Sequence, residues 1–216
     1  MTTRRIPEAT VARLPAYLQA LVDVAEDGTP TISSDELARA AGFNSAKVRK
    51  DLSFLGPYGT RGVGYQVRGL AEEISKVLGL GDDRPVVIVG VGNLGRALAS
   101  YDGFSRRGFH VAALVDRDPD LIGERIAGHR VEPDSALPEL VDGRGIGIAV
   151  VATPASVAQS VADAVVAAGV TAILNFAPVH LDVPDTVTVR TVDVSTELQI
   201  LSFYEHLDAE VSAATG

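Results

Sequence analysis

Residues 85–95 read Pro-Val-Val-Ile-Val-Gly-Val-Gly-Asn-Leu-Gly, an apolar run entering G-x-G-x-x-G at Gly90, Gly92 and Gly95. A strand, a tight glycine turn and a helix in immediate succession constrain the fold more than any other segment of the chain. Such a turn exposes helix N-terminal amides to a phosphate, and it belongs to βαβ units with parallel sheets. Asp116 follows Gly92 by 24 residues, at the end of the next apolar run, where a carboxylate accepts hydrogen bonds from ribose hydroxyls. The expected roles are a tight turn at Gly90, close pyrophosphate approach at Gly92 and close helix–strand packing at Gly95, with Val91, Asn93 and Leu94 completing the loop. A carboxylate at 116 repels a 2′-phosphate, so the pattern favours NAD over NADP; Arg117 is the neighbouring cation that could offset this.

Downstream, strands at 110–116, 146–152, 171–176 and 186–192, with a short strand near 128–132, alternate with helices at 135–141 and 155–168. Continuous apolar strands alternating with helices describe a doubly wound parallel sheet. Ligands bind beyond the carboxyl ends of such strands, which brings in Thr153, Pro154, Asn175 and Phe176. These segments supply no general acid or base, and no separate substrate domain remains in 216 residues. Binding without turnover is the simpler reading.

The first 80 residues have a different character. A helical pattern runs from Pro7 through Val11, Leu14, Leu18, Leu21 and Ala25. Ser33 and Glu36 form a capping box for a short helix that stops at Gly42. Ser45 is read as the cap of the next helix, whose Val48, Leu52 and Leu55 make one apolar stripe. Ala46, Arg49, Lys50 and Ser53 fall on its opposite face, with Lys47 beside them: small and basic side chains, as entry into a major groove requires. The hairpin Gly59-Thr60-Arg61-Gly62-Val63-Gly64-Tyr65 reads as a wing with Arg61 at its tip, suited to a minor groove. The net charge of −9 hides an asymmetry. Residues 1–69 carry nine basic against seven acidic side chains, and residues 43–68 carry five against one. Phosphate attraction is screened over roughly 10 Å, so the local balance governs DNA contact.

Cysteine is absent and the four histidines are scattered, which removes disulfides and the usual metal-ligand sets. No apolar run approaches the ~20 residues of a membrane span, and the N-terminus lacks a secretory h-region. The expectation is a cytoplasmic protein without metal. It divides into a winged helix-turn-helix domain at 1–80, a Rossmann domain at 81–194, and a helix from about Thr196 with a frayed tail after about Ala209, taken together as 195–216. An NAD-dependent oxidoreductase and a CoA-binding module remain as alternatives on these residues alone.

The strings Val48-Arg49-Lys50-Asp51-Leu52-Ser53-Phe54-Leu55-Gly56, Arg61-Gly62-Val63-Gly64-Tyr65, the Gly90–Gly95 loop, Asn175-Phe176-Ala177-Pro178 and Val192-Asp193 together resemble the Rex family of bacterial redox-sensing repressors. The likeness extends to about residue 207. It implies a homodimer on a palindromic operator that NADH releases and NAD⁺ permits, with a C-terminal helix swapped between subunits. It also implies that Arg13, Tyr101 and Asp193 take part in the switch. Arg13 is then the expected cationic partner of Asp193 in one of two states. Two positions depart from the family's pattern: Thr60, where many members carry a second basic residue, and Val194, where some carry an aromatic one.

Overall fold

The computed structural model describes residues 6–60, 62–80 and 83–214, with side chains to Leu207. The chain forms two compact units, Met1–Asp82 and Asp83–Gly216.

In the second unit, β4 (Arg84–Val89), β5 (Phe109–Asp116), β7 (His129–Pro133), β8 (Ile148–Val151), β9 (Ala172–Asn175) and β10 (Thr188–Thr191) pair in parallel. The spatial order is β10-β9-β8-β4-β5-β7-β6, with β6 (Arg125–Ile126) antiparallel on the edge. Strand order reverses between β4 and β8, the switch point of a doubly wound sheet. The expected strand near 128–132 is the hairpin β6–β7. Its turn places Ala127 and Gly128 at positive φ (48° and 84°), a primed turn that joins two strands where one was expected.

Helices α6 (Asn93–Ala99), α7 (Leu137–Arg144) and α8 (Ala155–Ala167) follow β4, β7 and β8. Val87, Val89, Ala149, Val151 and Ile173 form one sheet face, buried with Ala158, Ala162 and Val165 of α8. Val86, Ile88, Leu114 and Val150 form the opposite face. The unit ends in α9 (Val194–Ala214), which continues past the tail expected from Ala209.

The first unit builds α1 (Glu8–Val11) and α2 (Leu14–Glu26) where one continuous helix was expected. Pro15 sits in the first turn of α2, where its missing N–H costs nothing; within one continuous helix its ring would collide with the Val11 carbonyl. The helices α3 (Ser34–Ala41), α4 (Ser45–Leu52) and α5 (Val67–Val77) complete a core around Leu14, Leu21, Leu37, Val48, Leu52, Leu70 and Ile74. The capping box forms: Glu36 N–H donates to Ser33 Oγ (3.2 Å) and Ser33 N–H donates to Glu36 Oε2 (2.8 Å). The cap of α4 is Asn44 rather than Ser45, because Asn44 Oδ1 already accepts the Ala46 N–H at 2.8 Å.

A three-stranded antiparallel sheet, β1 (Thr31–Ile32), β3 (Gly64–Gln66) and β2 (Gly59–Thr60), forms the wing, and β1 is a strand the sequence reading missed. Gly64, at φ 98°, lies against the Ile32 carbonyl so closely that any side chain would overlap it. Arg61 lies outside the described residues.

One charged side chain organises this unit. Asp51 of α4 is 1% exposed. Its carboxylate accepts hydrogen bonds from Thr10 Oγ1 (2.8 Å), Arg13 Nε (2.6 Å), Arg13 Nη2 (2.8 Å) and Tyr17 Oη (2.7 Å). Burial pushes its pKa up, but the bonds from Arg13, Tyr17 and Thr10 outweigh burial and hold it below the ordinary carboxylate value. Burial first, and then the bond to Asp51, push the Tyr17 phenol to about 12. Removing Asp51 strands a guanidinium and two hydroxyls in a dry site, so Asp51→Ala should destabilise the first unit by about 3–5 kcal/mol. A carboxylate with a depressed native pKa stabilises fully above its unfolded-state pKa and loses that contribution as pH falls towards the native value. Denaturant unfolding across that acidic range should show this loss in the wild type and not in Asp51→Asn.

Candidate nucleotide site and DNA-reading face

The glycine loop joins β4 to α6 at the switch point. Gly90 takes φ 96°, and a Cβ there would stand 2.7 Å from both the Ala152 carbonyl oxygen and Thr153 Cγ2. The loop therefore lies flush against the end of β8 only because residue 90 is glycine. A Cβ on Gly95 would overlap the Gly90 carbonyl oxygen, so the third glycine lets α6 start directly on the strand end. Gly92, the N-cap of α6, faces open space. Helix geometry leaves the first-turn amides at Asn93, Leu94 and Gly95 available to a phosphate there. Asn93 and Leu94 are exposed, and Val91 is buried.

Asp116, at the end of β5, faces this loop. Its Oδ2 accepts the Val91 N–H at 2.6 Å and its Oδ1 accepts the Asp118 N–H at 3.0 Å. The carboxylate thus fixes the loop to the neighbouring strand, and its remaining lone pairs stay available to hydroxyls. Thr153 Oγ1 is buried without a hydrogen-bond partner. An orphaned hydroxyl beside an open glycine cradle fits a polar ligand entering at the β4/β8 crevice. Pro154 is exposed and is the N-cap residue of α8.

Asn175 corrects the sequence reading. It is fully buried: its amide Nδ2 donates to the Ala177 and Val179 carbonyls (3.1 and 2.9 Å), and its Oδ1 accepts the Ala177 N–H (2.9 Å). The side chain is buried and engaged within the 175–179 loop, which it shapes. Phe176 packs partly buried against the second sheet face.

The stripe divides as expected, although α4 ends at Leu52, with Ser53 as its C-cap and Leu55 in the turn beyond. Val48 and Leu52 are buried and Leu55 is partly buried, while Ala46, Lys47, Arg49, Lys50 and Ser53 are exposed; Ser45 is half-buried. Arg49 makes only a loose contact with exposed Asp35, at 4.0 Å. Asp51 is the residue whose role the sequence reading missed. It was counted against the basic patch, yet it points into the core and is balanced there by Arg13. Its signal was its position three residues after Val48 and one before Leu52, on the inward side of the helix.

The three switch residues stand as follows. Arg13 is engaged by Asp51, which raises its already high pKa. Tyr101 is exposed and meets the Phe104 ring edge-on, with centroids 5.4 Å apart. Asp193 caps α9: Oδ1 accepts from Ser195 N–H (2.9 Å) and Ser195 Oγ, and Oδ2 accepts from Thr196 Oγ1 (3.1 Å). Those bonds hold its pKa below the ordinary value.

Residues 5–53 match the family described as "Putative DNA-binding protein N-terminus", and residues 82–179 match "CoA binding domain". "Redox-sensing transcriptional repressor Rex" of Streptomyces avermitilis is 60% identical over 99% of this chain and 85% of its own length. Its counterpart from Pelotomaculum thermopropionicum is 46% identical over 94% and 95%. Among solved structures, RSP in complex with beta-NAD+ and operator DNA superposes with a TM-score of 0.87 at 33% identity, covering 98% of this chain and 99% of that one. RSP in complex with beta-NADH gives 0.86 at 32% identity over the same shares. The identity extends over both units, and the chain belongs to the Rex family of redox-sensing transcriptional repressors.

Proposed function

We propose that this protein binds operator DNA through α4 and the wing, holds NAD(H) at the β4/β8 crevice, and leaves the operator when NADH occupies that site. The observation that carries the cofactor half is the crevice itself: an open Gly92 cradle, Asp116 at the ribose position and the orphaned Thr153 hydroxyl. Gly90, Val91, Gly92, Asn93, Leu94 and Gly95 would hold the pyrophosphate, with Thr153, Pro154 and Phe176 towards the nicotinamide end. NADH and NAD⁺ share phosphates and adenosine, so only the ring end can distinguish them, and only if it touches something that differs between two states. Lys47, Arg49, Lys50 and Ser53, with Ser45 and Ala46 allowing close approach, would meet the major groove, and Arg61 the minor groove.

The CoA alternative shares the loop, since CoA also presents a diphosphate. CoA, however, carries a 3′-phosphate on the ribose that Asp116 would face, and a carboxylate repels it. Calorimetric titration decides: NADH and NAD⁺ should bind, and CoA should bind far more weakly. Asp116→Ala should weaken NADH, because both the ribose acceptor and the anchor of the Val91 amide are lost. Saturable CoA binding with no NADH heat would reject this cofactor assignment.

The exposure of α9 supports a homodimer as part of this reading. Every described side chain from Val194 to Leu207 is exposed, including Leu198, Ile200, Leu201, Phe203 and Tyr204. A helix about 30 Å long, at 1.5 Å per residue, that exposes so many large apolar side chains calls for a covering partner. The same unit carries an apolar groove of about 310 Å³ on its second sheet face, lined by Tyr101, Phe104, Phe109, Ile148 and Leu174 among others. A swapped α9 from a second copy matches that groove in chemistry and would bring Asp193 to the partner, where it could take Arg13 from Asp51 in one state. Tyr101, at the rim of the groove, would report the nucleotide state to that contact. Sedimentation should show a dimer for the wild type and monomers for Leu201→Asp/Phe203→Asp; a monomeric wild type would rule out the swap.

A further inference from the structure

Asp116 accounts for only part of the discrimination between NAD(H) and NADP(H), because it repels a 2′-phosphate without removing the cations that would attract one. Arg96 is such a cation. It lies on α6 immediately after Gly95, where its N–H donates to the Gly92 carbonyl (2.9 Å), in the first turn after the loop that Asp116 holds through the Val91 amide. A guanidinium beside the ribose acceptor is the group that takes a 2′-phosphate, through two parallel hydrogen bonds.

Here that fork is already occupied. Arg96 Nη1 donates to Glu124 Oε1 at 2.9 Å and Nη2 donates to Glu124 Oε2 at 2.7 Å, a paired geometry a phosphate would otherwise adopt. Glu124 is itself fastened at both backbone groups: its N–H donates to the Leu121 carbonyl (3.0 Å) and its carbonyl accepts the Val131 N–H (2.9 Å). The β6–β7 hairpin that follows keeps this segment in place. Both partners are partly exposed, so the pair contributes little to stability. Its geometry is nonetheless well formed, and Arg96 lowers the Glu124 pKa, so the carboxylate is charged at any physiological pH.

We infer that Glu124 acts as a built-in substitute for a 2′-phosphate, occupying Arg96 and so excluding NADP(H) from the site. This rests on the NAD(H) assignment for the crevice. Exclusion then has two parts: Asp116 repels the phosphate at the ribose, and Glu124 denies it the nearby cation. Arg117, next to Asp116 in sequence and exposed, and Arg130, whose guanidinium lies beside Gly123, are further cations near these residues, so a test must separate Arg96 from them.

The test is calorimetric titration of the full-length protein with NADH and NADPH, using wild type, Glu124→Gln, Glu124→Ala and the double variant Arg96→Ala/Glu124→Ala. Glu124→Gln keeps the shape and most hydrogen bonding while removing the charge, which guards against a folding defect. The wild type should bind NADH and bind NADPH much more weakly. Both single variants should keep NADH affinity within about threefold and bind NADPH roughly tenfold tighter or more, the effect of one charge-assisted contact. The double variant should lose that gain. NADPH affinity unchanged in the single variants, with NADH binding intact, overturns the inference. So does a gain that survives in the double variant, which would place the effect on Arg117, Arg130 or bulk charge. Loss of both cofactors in the single variants would show that Glu124 merely supports the loop, again overturning it. A wild type that binds no NADH would instead reject the cofactor assignment, and the inference with it.

Discussion

The nucleotide half of this protein depends on a backbone approach that no side chain permits. Helix α6 begins so close to the end of β4 that a Cβ on Gly95 would overlap the Gly90 carbonyl, and Gly90 in turn lies against the end of β8. That approach puts helix N-terminal amides at the point where strand order reverses, the one place in a parallel sheet where a crevice opens between neighbouring connections. The Asp116 carboxylate then ties the loop to β5 through the Val91 amide. The site's shape is therefore set by main chain and one buried-edge carboxylate, with little left to side-chain mobility.

The DNA-reading half uses a carboxylate in a related way. Asp51 draws a hydroxyl from α1, a guanidinium at the α1–α2 junction and a phenol from α2 onto α4. A buried ion pair of this kind contributes modest net stability but leaves one arrangement satisfied and its alternatives costly. Arg13 would connect this hub to the proposed switch, because a guanidinium that exchanged partners would have to release or loosen its hold on the helix proposed to face DNA. The exposed α9 and the apolar groove give a second copy of the chain a physical reason to be present at that exchange.

Much of this was legible in the sequence, for identifiable reasons. The glycine fingerprint, the strand alternation and the capping box are local, and each reads directly from period and residue type. Ala46, Arg49, Lys50 and Ser53 share a face because 3.6 residues make a turn, so their exposure was recoverable from spacing. What escaped were features set by tertiary partners. Asp51 counts as an ordinary acid until Arg13 and Tyr17, more than thirty residues away, close around it. Asn175 sits at the right strand end for a ligand contact, and only the fold of its own loop shows that the amide is consumed. The break at Pro15 and the Ala127-Gly128 turn carried signals in the sequence; there the reading gave too much weight to hydrophobic period over backbone chemistry.

The central claim is that nucleotide redox state governs DNA occupancy. It is tested most directly by fluorescence anisotropy of a labelled operator from the protein's own promoter, with protein and total nucleotide held constant while the NADH fraction is raised at fixed salt. Full occupancy is expected in NAD⁺, with progressive release as NADH replaces it and a blunted response in Asp193→Ala. Anisotropy that stays constant across the whole range, in a wild-type protein shown to bind both the operator and NADH, would contradict it.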